Sequence, residues 1–162
     1  MAAIQRLPTR TCGECTLCCT AVAAFQLGKP TGQTCPHVGA SGCQIYDIRP
    51  LECRSFRCIW LNGFFAESDR PDKIGAVFFE ETTYDGTTIV TVNEAHPGAT
   101  AESRRAKELL RTLLEMGLTV VVRNENRIAK LTPNGEVEKF DVDPSDPLKV
   151  RALSYCRCAN AR

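Results

Sequence analysis

Two patterns of hydrophobic and polar positions divide the chain, and the change between them falls after Lys73. Residues 74–82 and 87–94 are runs of strand length, rich in Val, Ile, Phe and Thr. Between them Tyr84-Asp85-Gly86 carries the Asp-Gly signal of a tight hairpin turn. Residues 100–116 then follow a helical period. Leu109, Leu110, Leu113 and Leu114 form the apolar stripe, and Gly117 stands at the C-terminal stop. Residues 118–123 read as a buried strand. Residues 127–131 and 136–142 form a second hairpin across Pro133-Asn134-Gly135. The order ββαβββ predicts a small α+β lobe over residues 74–162 with an antiparallel or mixed sheet. Its last part, from Pro144 onward, reads as a tail that carries Cys156 and Cys158.

Residues 1–73 lack that regularity. The spacing predicts a short helix over 16–27, stopped by Gly28-Lys29-Pro30, and a loop over 31–44 rich in Gly, Ser and Thr. A second short helix is expected over 50–60, with Pro50 near its first position and Cys53, Phe56 and Trp60 at 3/4 spacing. Cys58 lies five residues after Cys53, so it joins Cys53 only if that helix ends first. Residues 62–73 read as a connecting loop. The expectation is one compact unit in which a module of loops and short helices packs on the ββαβββ lobe.

Composition changes this picture in one respect. The chain has 162 residues, 43% hydrophobic and 24% charged, with 20 Lys plus Arg against 19 Asp plus Glu. That near-neutral balance gives no sign of a nucleic-acid or anionic-membrane partner. Residues 1–11 have no apolar core of a signal peptide, and no apolar run approaches bilayer length. The expected compartment is therefore the cytoplasm. The ten cysteines are the anomaly, because eight of them fall between Cys12 and Cys58. In a reducing compartment such density points to metal ligands or redox groups rather than structural disulfides.

The spacing supports metal. Cys12-x-x-Cys15-x-x-Cys18 offers two overlapping C-x-x-C pairs, each of which brings two sulfurs together from one turn. Cys35, Cys43, Cys53 and Cys58 can complete a tetrahedral zinc site, with His37 as a nitrogen alternative. An iron–sulfur cluster is the rival, since both take thiolates. The opening is like the start of a bacterial ferredoxin run, but the fourth ligand position is Val22 and Cys19 is out of step. On a helix Cys18 and Cys19 diverge by roughly 100°, so adjacent thiols do not easily serve one small ion. Cys156-Arg157-Cys158 either folds back to the cluster, forms a redox pair or is incidental.

The run Cys12-x-x-Cys15-x-x-Cys18-Cys19, followed by Cys35-Pro36-His37 and Cys43-x-Ile45-Tyr46-x-x-Arg49-Pro50-x-x-Cys53-Arg54-x-Phe56-x-Cys58, closely resembles the CxxCxxCC family of zinc- or iron-chelating proteins (YkgJ-like). Flagellin lysine N-methylases carry a similar cysteine module. The resemblance covers about the first third of the chain. It implies zinc, iron or iron–sulfur binding by Cys12, Cys15, Cys18, Cys19, Cys35, Cys43, Cys53 and Cys58. It does not imply methylase activity, because those enzymes are longer and nothing here matches a second catalytic region. Arg49 and Arg54, which belong to the motif, are expected to offset thiolate charge, and Tyr46, Phe56 and Trp60 to form an apolar shell. The charged residues of 102–111 are expected on a solvated helix face. Two classes of function follow: a zinc-stabilised module whose sheet lobe meets a protein partner, or an iron–sulfur protein. The second would transfer electrons or bind a substrate such as S-adenosylmethionine at an open iron.

Overall fold

The computed structural model describes residues 10–143 and 146–157. Its centre is a six-stranded mixed sheet: β3 (Ala76–Thr82), β4 (Thr88–Glu94), β5 (Val120–Arg123), β6 (Arg127–Leu131), β7 (Glu136–Asp143) and β8 (Asp146–Arg157), side by side in chain order. All neighbours are antiparallel except β4 and β5. That parallel step is bridged by helices α4 (Ala99–Glu102) and α5 (Arg104–Glu115). The α+β class holds, with one correction: the expected tail after Pro144 contains strand β8, in which Cys156 lies opposite Val137. Cys158 lies outside the described residues.

The expected helix over 100–116 is two helices. Ser103 is extended (φ −79°, ψ 113°), and its hydroxyl accepts the Ala106 N–H at 3.2 Å, so it caps a new helix instead of continuing the old one. Ala106, Leu109 and Leu113 then face the sheet. They join Ala76, Phe78, Val90, Val92 and Val120 in a first core, completed by Ile59 and Ile74.

The other sheet face carries the cysteine module. There Val77 and Phe79 pack with Ala21, Cys58, Trp60 and Leu61 in a second core. Phe56 meets the Phe79 ring edge-on at 5.1 Å. The module contributes α1 (Leu17–Ala21), a 3-10 turn at Phe25–Leu27, the small ladder β1 (Val38–Gly39) with β2 (Gly42–Cys43), α2 (Leu51–Ser55) and α3 (Pro71–Ile74).

Both expected module helices are cut short by long-range contacts. Helix α1 stops at Ala21, whose carbonyl accepts from Asn93 Nδ2 at 2.9 Å. Phe25 N–H, which would have extended the helix, donates to Glu52 Oε2 at 3.0 Å instead. Helix α2 ends at Ser55, and Phe56 is extended (φ −63°, ψ 126°). This early stop frees the following residues to turn against β3, where Ile59 N–H donates to the Phe78 carbonyl at 2.8 Å. The ladder β1–β2 replaces part of the expected loop. Gly32 (φ +80°) lets that loop touch the β5–β6 turn, since a Cβ there would lie 2.7 Å from Glu125 Cβ. No helix among the described residues is long and apolar enough to cross a membrane.

The helix face of 102–111 is not wholly solvated. Arg105 reaches to Asp69, which is 1% exposed, with two N–O distances of 2.8 Å. The bidentate hydrogen bonds of that guanidinium hold the Asp69 carboxyl below its usual range, against the effect of burial. Asp69 also accepts the Ala66 N–H at 3.0 Å and so fixes the turn leading to α3. Arg105→Met keeps the apolar stem but strands the buried carboxylate, and is expected to cost about 2 kcal/mol in urea unfolding at pH 7. Because the folded carboxyl titrates below the unfolded one, the pair stabilises above about pH 4 and its contribution fades as pH falls through the folded value. The gap between wild type and variant should therefore narrow as unfolding is followed from pH 7 to about 3; an unchanged gap would remove the ion pair as its cause.

Candidate metal centre

Six short segments carry the eight N-terminal cysteines, and all but Cys58 border one space. Cys12 and Cys15 sit on a tight turn, closed by Cys15 N–H to the Cys12 carbonyl at 3.0 Å with Gly13 at φ +54°. Cys18 and Cys19 are consecutive residues of α1. Cys35 N–H donates to the Cys19 carbonyl at 2.8 Å, which seats the 31–37 loop against α1. Cys43 lies opposite Val38 in the β1–β2 ladder, and Val38 N–H in turn donates to the Cys35 carbonyl at 3.2 Å. Cys53 is on α2, which Glu52 draws to the 3-10 turn through Phe25 N–H and Gln26 N–H at 3.0 and 2.5 Å. Cys58 is buried, and its Sγ accepts the Leu61 N–H at 3.4 Å.

The electrostatic neighbours follow this layout. Burial pushes the Cys12 thiol up, opposed by Arg49 and Arg57. Burial also raises Cys15, and the nearby Asp72 carboxylate adds to the effect. Burial raises Cys58 too, where Cys12 and Cys15 add to the effect and the Leu61 N–H opposes it. It raises Cys53 likewise, with further contributions from Glu52, Cys19, Cys35 and Cys43. Cys18 and Cys19 behave as a pair. Cys18 is pushed up, first by the neighbouring Cys19 thiol and then by burial. Cys19 is brought down to about 7, first by its interaction with Cys18 and then by Lys29 and Arg49, against burial.

Lys29 is a residue that sequence reasoning passed over. It is 4% exposed, its ammonium donates to the Val22 carbonyl, and burial lowers its pKa while Cys35, Cys19, Cys18 and Cys53 oppose that shift. In the sequence it stood between Gly28 and Pro30 and read as part of a helix stop. The expected cations are thus corrected. Arg49 does act on Cys12 and Cys19, stacked on Tyr46 at 3.6 Å, and Arg57 and Lys29 are the other charges at the thiols; Arg54 and Arg57 are both exposed, but only Arg57 acts on a thiol, Cys12. Among the expected shell residues Trp60 and Phe56 pack in the second core, whereas Tyr46 is half exposed. His37 offers its carbonyl to Gln44 N–H at 2.8 Å, a backbone role. β8, with Cys156, is the sheet edge opposite β3.

Seven of the eight cysteines, Cys58 excepted, line a cleft of about 1470 Å³ between the module and the sheet. Asn93 and Arg123, paired across β4 and β5, lie on its sheet side, and Asn93 Oδ1 and Arg123 Nε have no hydrogen-bond partner. Among the described residues no three His, Cys, Asp or Glu side chains converge closely enough to hold a metal ion. The sulfurs therefore surround a space rather than a point, and gathering them on an ion requires the side chains to turn inward. The donor chemistry suits a thiophilic metal: sulfurs from short turns, a backbone N–H donated to Cys58 Sγ, and nearby cations to offset thiolate charge. Comparison of the chain with protein-family models, curated proteins and solved structures finds no match.

Thiolate reactivity tests this electrostatic picture. In protein stripped by a chelator, Cys19 should be the first cysteine alkylated by iodoacetamide at pH 7, as read by peptide mass spectrometry. Lys29→Met removes one of the cations that lower the Cys19 pKa, so it should slow that alkylation at pH 7 by several-fold and less at pH 9. Equal rates at all eight positions would refute the assignment.

Proposed function

We propose that this chain is a cytoplasmic metal-binding protein that chelates zinc or iron through its clustered cysteine thiolates. The observation that carries the reading is the gathering of seven thiols around one cleft and of an eighth, Cys58, in the core beside it, from segments up to 46 positions apart in sequence (Cys12 to Cys58), with Arg49, Arg57 and Lys29 alongside. The cysteine run, similar to the CxxCxxCC family, supports it independently. The ligands are drawn from Cys12, Cys15, Cys18, Cys19, Cys35, Cys43, Cys53 and Cys58. Zinc enclosed by four thiolates would supply structure, whereas an iron–sulfur cluster would supply an electron-transfer site. The chain's own part is to hold the sulfurs, to offset their charge with Lys29, Arg49 and Arg57, and to shield one side of them with Phe56, Trp60 and Leu61.

A second reading, an iron–sulfur enzyme or electron-transfer protein, is favoured by the cleft. A purely structural zinc site needs no open volume beside its ligands, yet here the thiols face about 1470 Å³ with two unpartnered polar atoms on its far side. Anaerobic purification separates the readings. Brown protein with charge-transfer absorbance and bound iron supports the second, and colourless protein with stoichiometric zinc supports the first. Protein free of both metals, purified without chelator, would refute metal binding altogether. With metal bound, chelation should raise hydrogen exchange in residues 12–58 well above any change in β4 and β5; a uniform response would mean that metal and module fold are not linked.

A further inference from the structure

We propose that the eight cysteines form two four-thiolate centres, one held by Cys12, Cys15, Cys18 and Cys58 and the other by Cys19, Cys35, Cys43 and Cys53. This rests on the metal-binding reading and adds the number of centres, their membership and their surroundings.

Backbone geometry divides the sulfurs. Helix α1 presents Cys18 and Cys19 in directions roughly 100° apart, so the two neighbours point to different sides. On the Cys18 side lies the Cys12–Cys15 turn, and Cys12 packs against the second core that contains Cys58. On the Cys19 side, Cys35 is joined to Cys19 by a backbone hydrogen bond of 2.8 Å. The Cys35–Val38 turn then leads into the ladder that holds Cys43. Cys53 stands on α2, which Glu52 ties to the 3-10 turn after α1, and the thiols beside it are Cys19, Cys35 and Cys43, whereas those beside Cys58 are Cys12 and Cys15. The groups meet where Cys19 approaches Cys18 and Cys12.

Environment differs between the two. The first centre is set against the core through Cys58, whose buried sulfur accepts the Leu61 N–H, while its Cys12, Cys15 and Cys18 border the cleft. All four sulfurs of the second border the cleft, with the Lys29 ammonium alongside. Four thiolates on a divalent ion leave a net charge of roughly −2, so each centre benefits from its own cation: Arg57 for the first and Lys29 for the second, with Arg49 acting on both. The second centre, with all four sulfurs on the cleft against three of the first, is the more open of the two, with Cys35 as its buried member. It should exchange metal with solvent faster.

The test uses full-length protein purified anaerobically, with zinc and iron counted per chain. Cys58→Ser and Cys15→Ser should each remove the metal of the first centre, and Cys53→Ser and Cys43→Ser that of the second. The two losses should sum to the wild-type content, a two-fold drop in each case if both centres hold one ion of the same kind. Challenge of wild type with a chelator should release metal in two phases, and the fast phase should be missing in Cys53→Ser. If buried Cys58→Ser fails to fold, by circular dichroism, the more accessible Cys15→Ser reads the same centre. A single-phase release, or the loss of all metal in any one of the four variants, would overturn the partition while leaving metal binding intact. Metal-free wild type would overturn both.

Discussion

The hydrogen bond from Ile59 N–H to the Phe78 carbonyl fixes where the module sits. β3 is an edge strand, and an uncovered edge exposes unpaired backbone groups. Residues 58–61 meet that edge at one hydrogen bond and distribute their side chains to both sides of the sheet. Ile59 enters the core under α5, while Cys58, Trp60 and Leu61 enter the core under the cysteines. A single turn thereby couples a sulfur position to the most buried part of the lobe.

The second sheet face changes character along its width. Near β3 it is apolar, with Val77 and Phe79, and it seats the module. Toward β4 and β5 it becomes polar, with Thr91, Asn93 and Arg123, and the cleft opens there. Asn93 serves both regions: its Nδ2 ends α1 at the Ala21 carbonyl, while its Oδ1 is left without a partner at the cleft. The residue that terminates the cysteine helix is thus part of the wall opposite the cysteines. Thiols crowded together are hard to ionise in a desolvated site, and the module answers with cations at close range. Lys29 stays near the sulfurs because it is buried and tied to Val22, a placement that a solvated surface lysine would not keep.

Much of the lobe was legible from local pattern. Strand and helix order, both hairpin turns and the Gly117 stop follow from period and turn chemistry, which are properties of neighbouring residues. The cysteine run was legible too, because C-x-x-C spacing is a local device. Helix ends in the module were not. Nothing near Ala21 announces a stop there, since the group that takes its carbonyl is 72 positions away. Strand β8 was missed because its partner, β7, supplies the pairing.

By itself the sequence determined the class of the fold, the identity of the eight candidate sulfurs and the divergence of Cys18 from Cys19. The tertiary structure alone decided which sulfurs become neighbours, that Lys29 and Arg57 rather than Arg54 stand beside them, and that a cleft opens on the thiols. The reason is one of range. Propensity and spacing act over a few residues, whereas Cys58, Cys53 and Cys35 reach the α1 cysteines only after α1 and α2 are cut short by Asn93, Glu52 and the β3 edge.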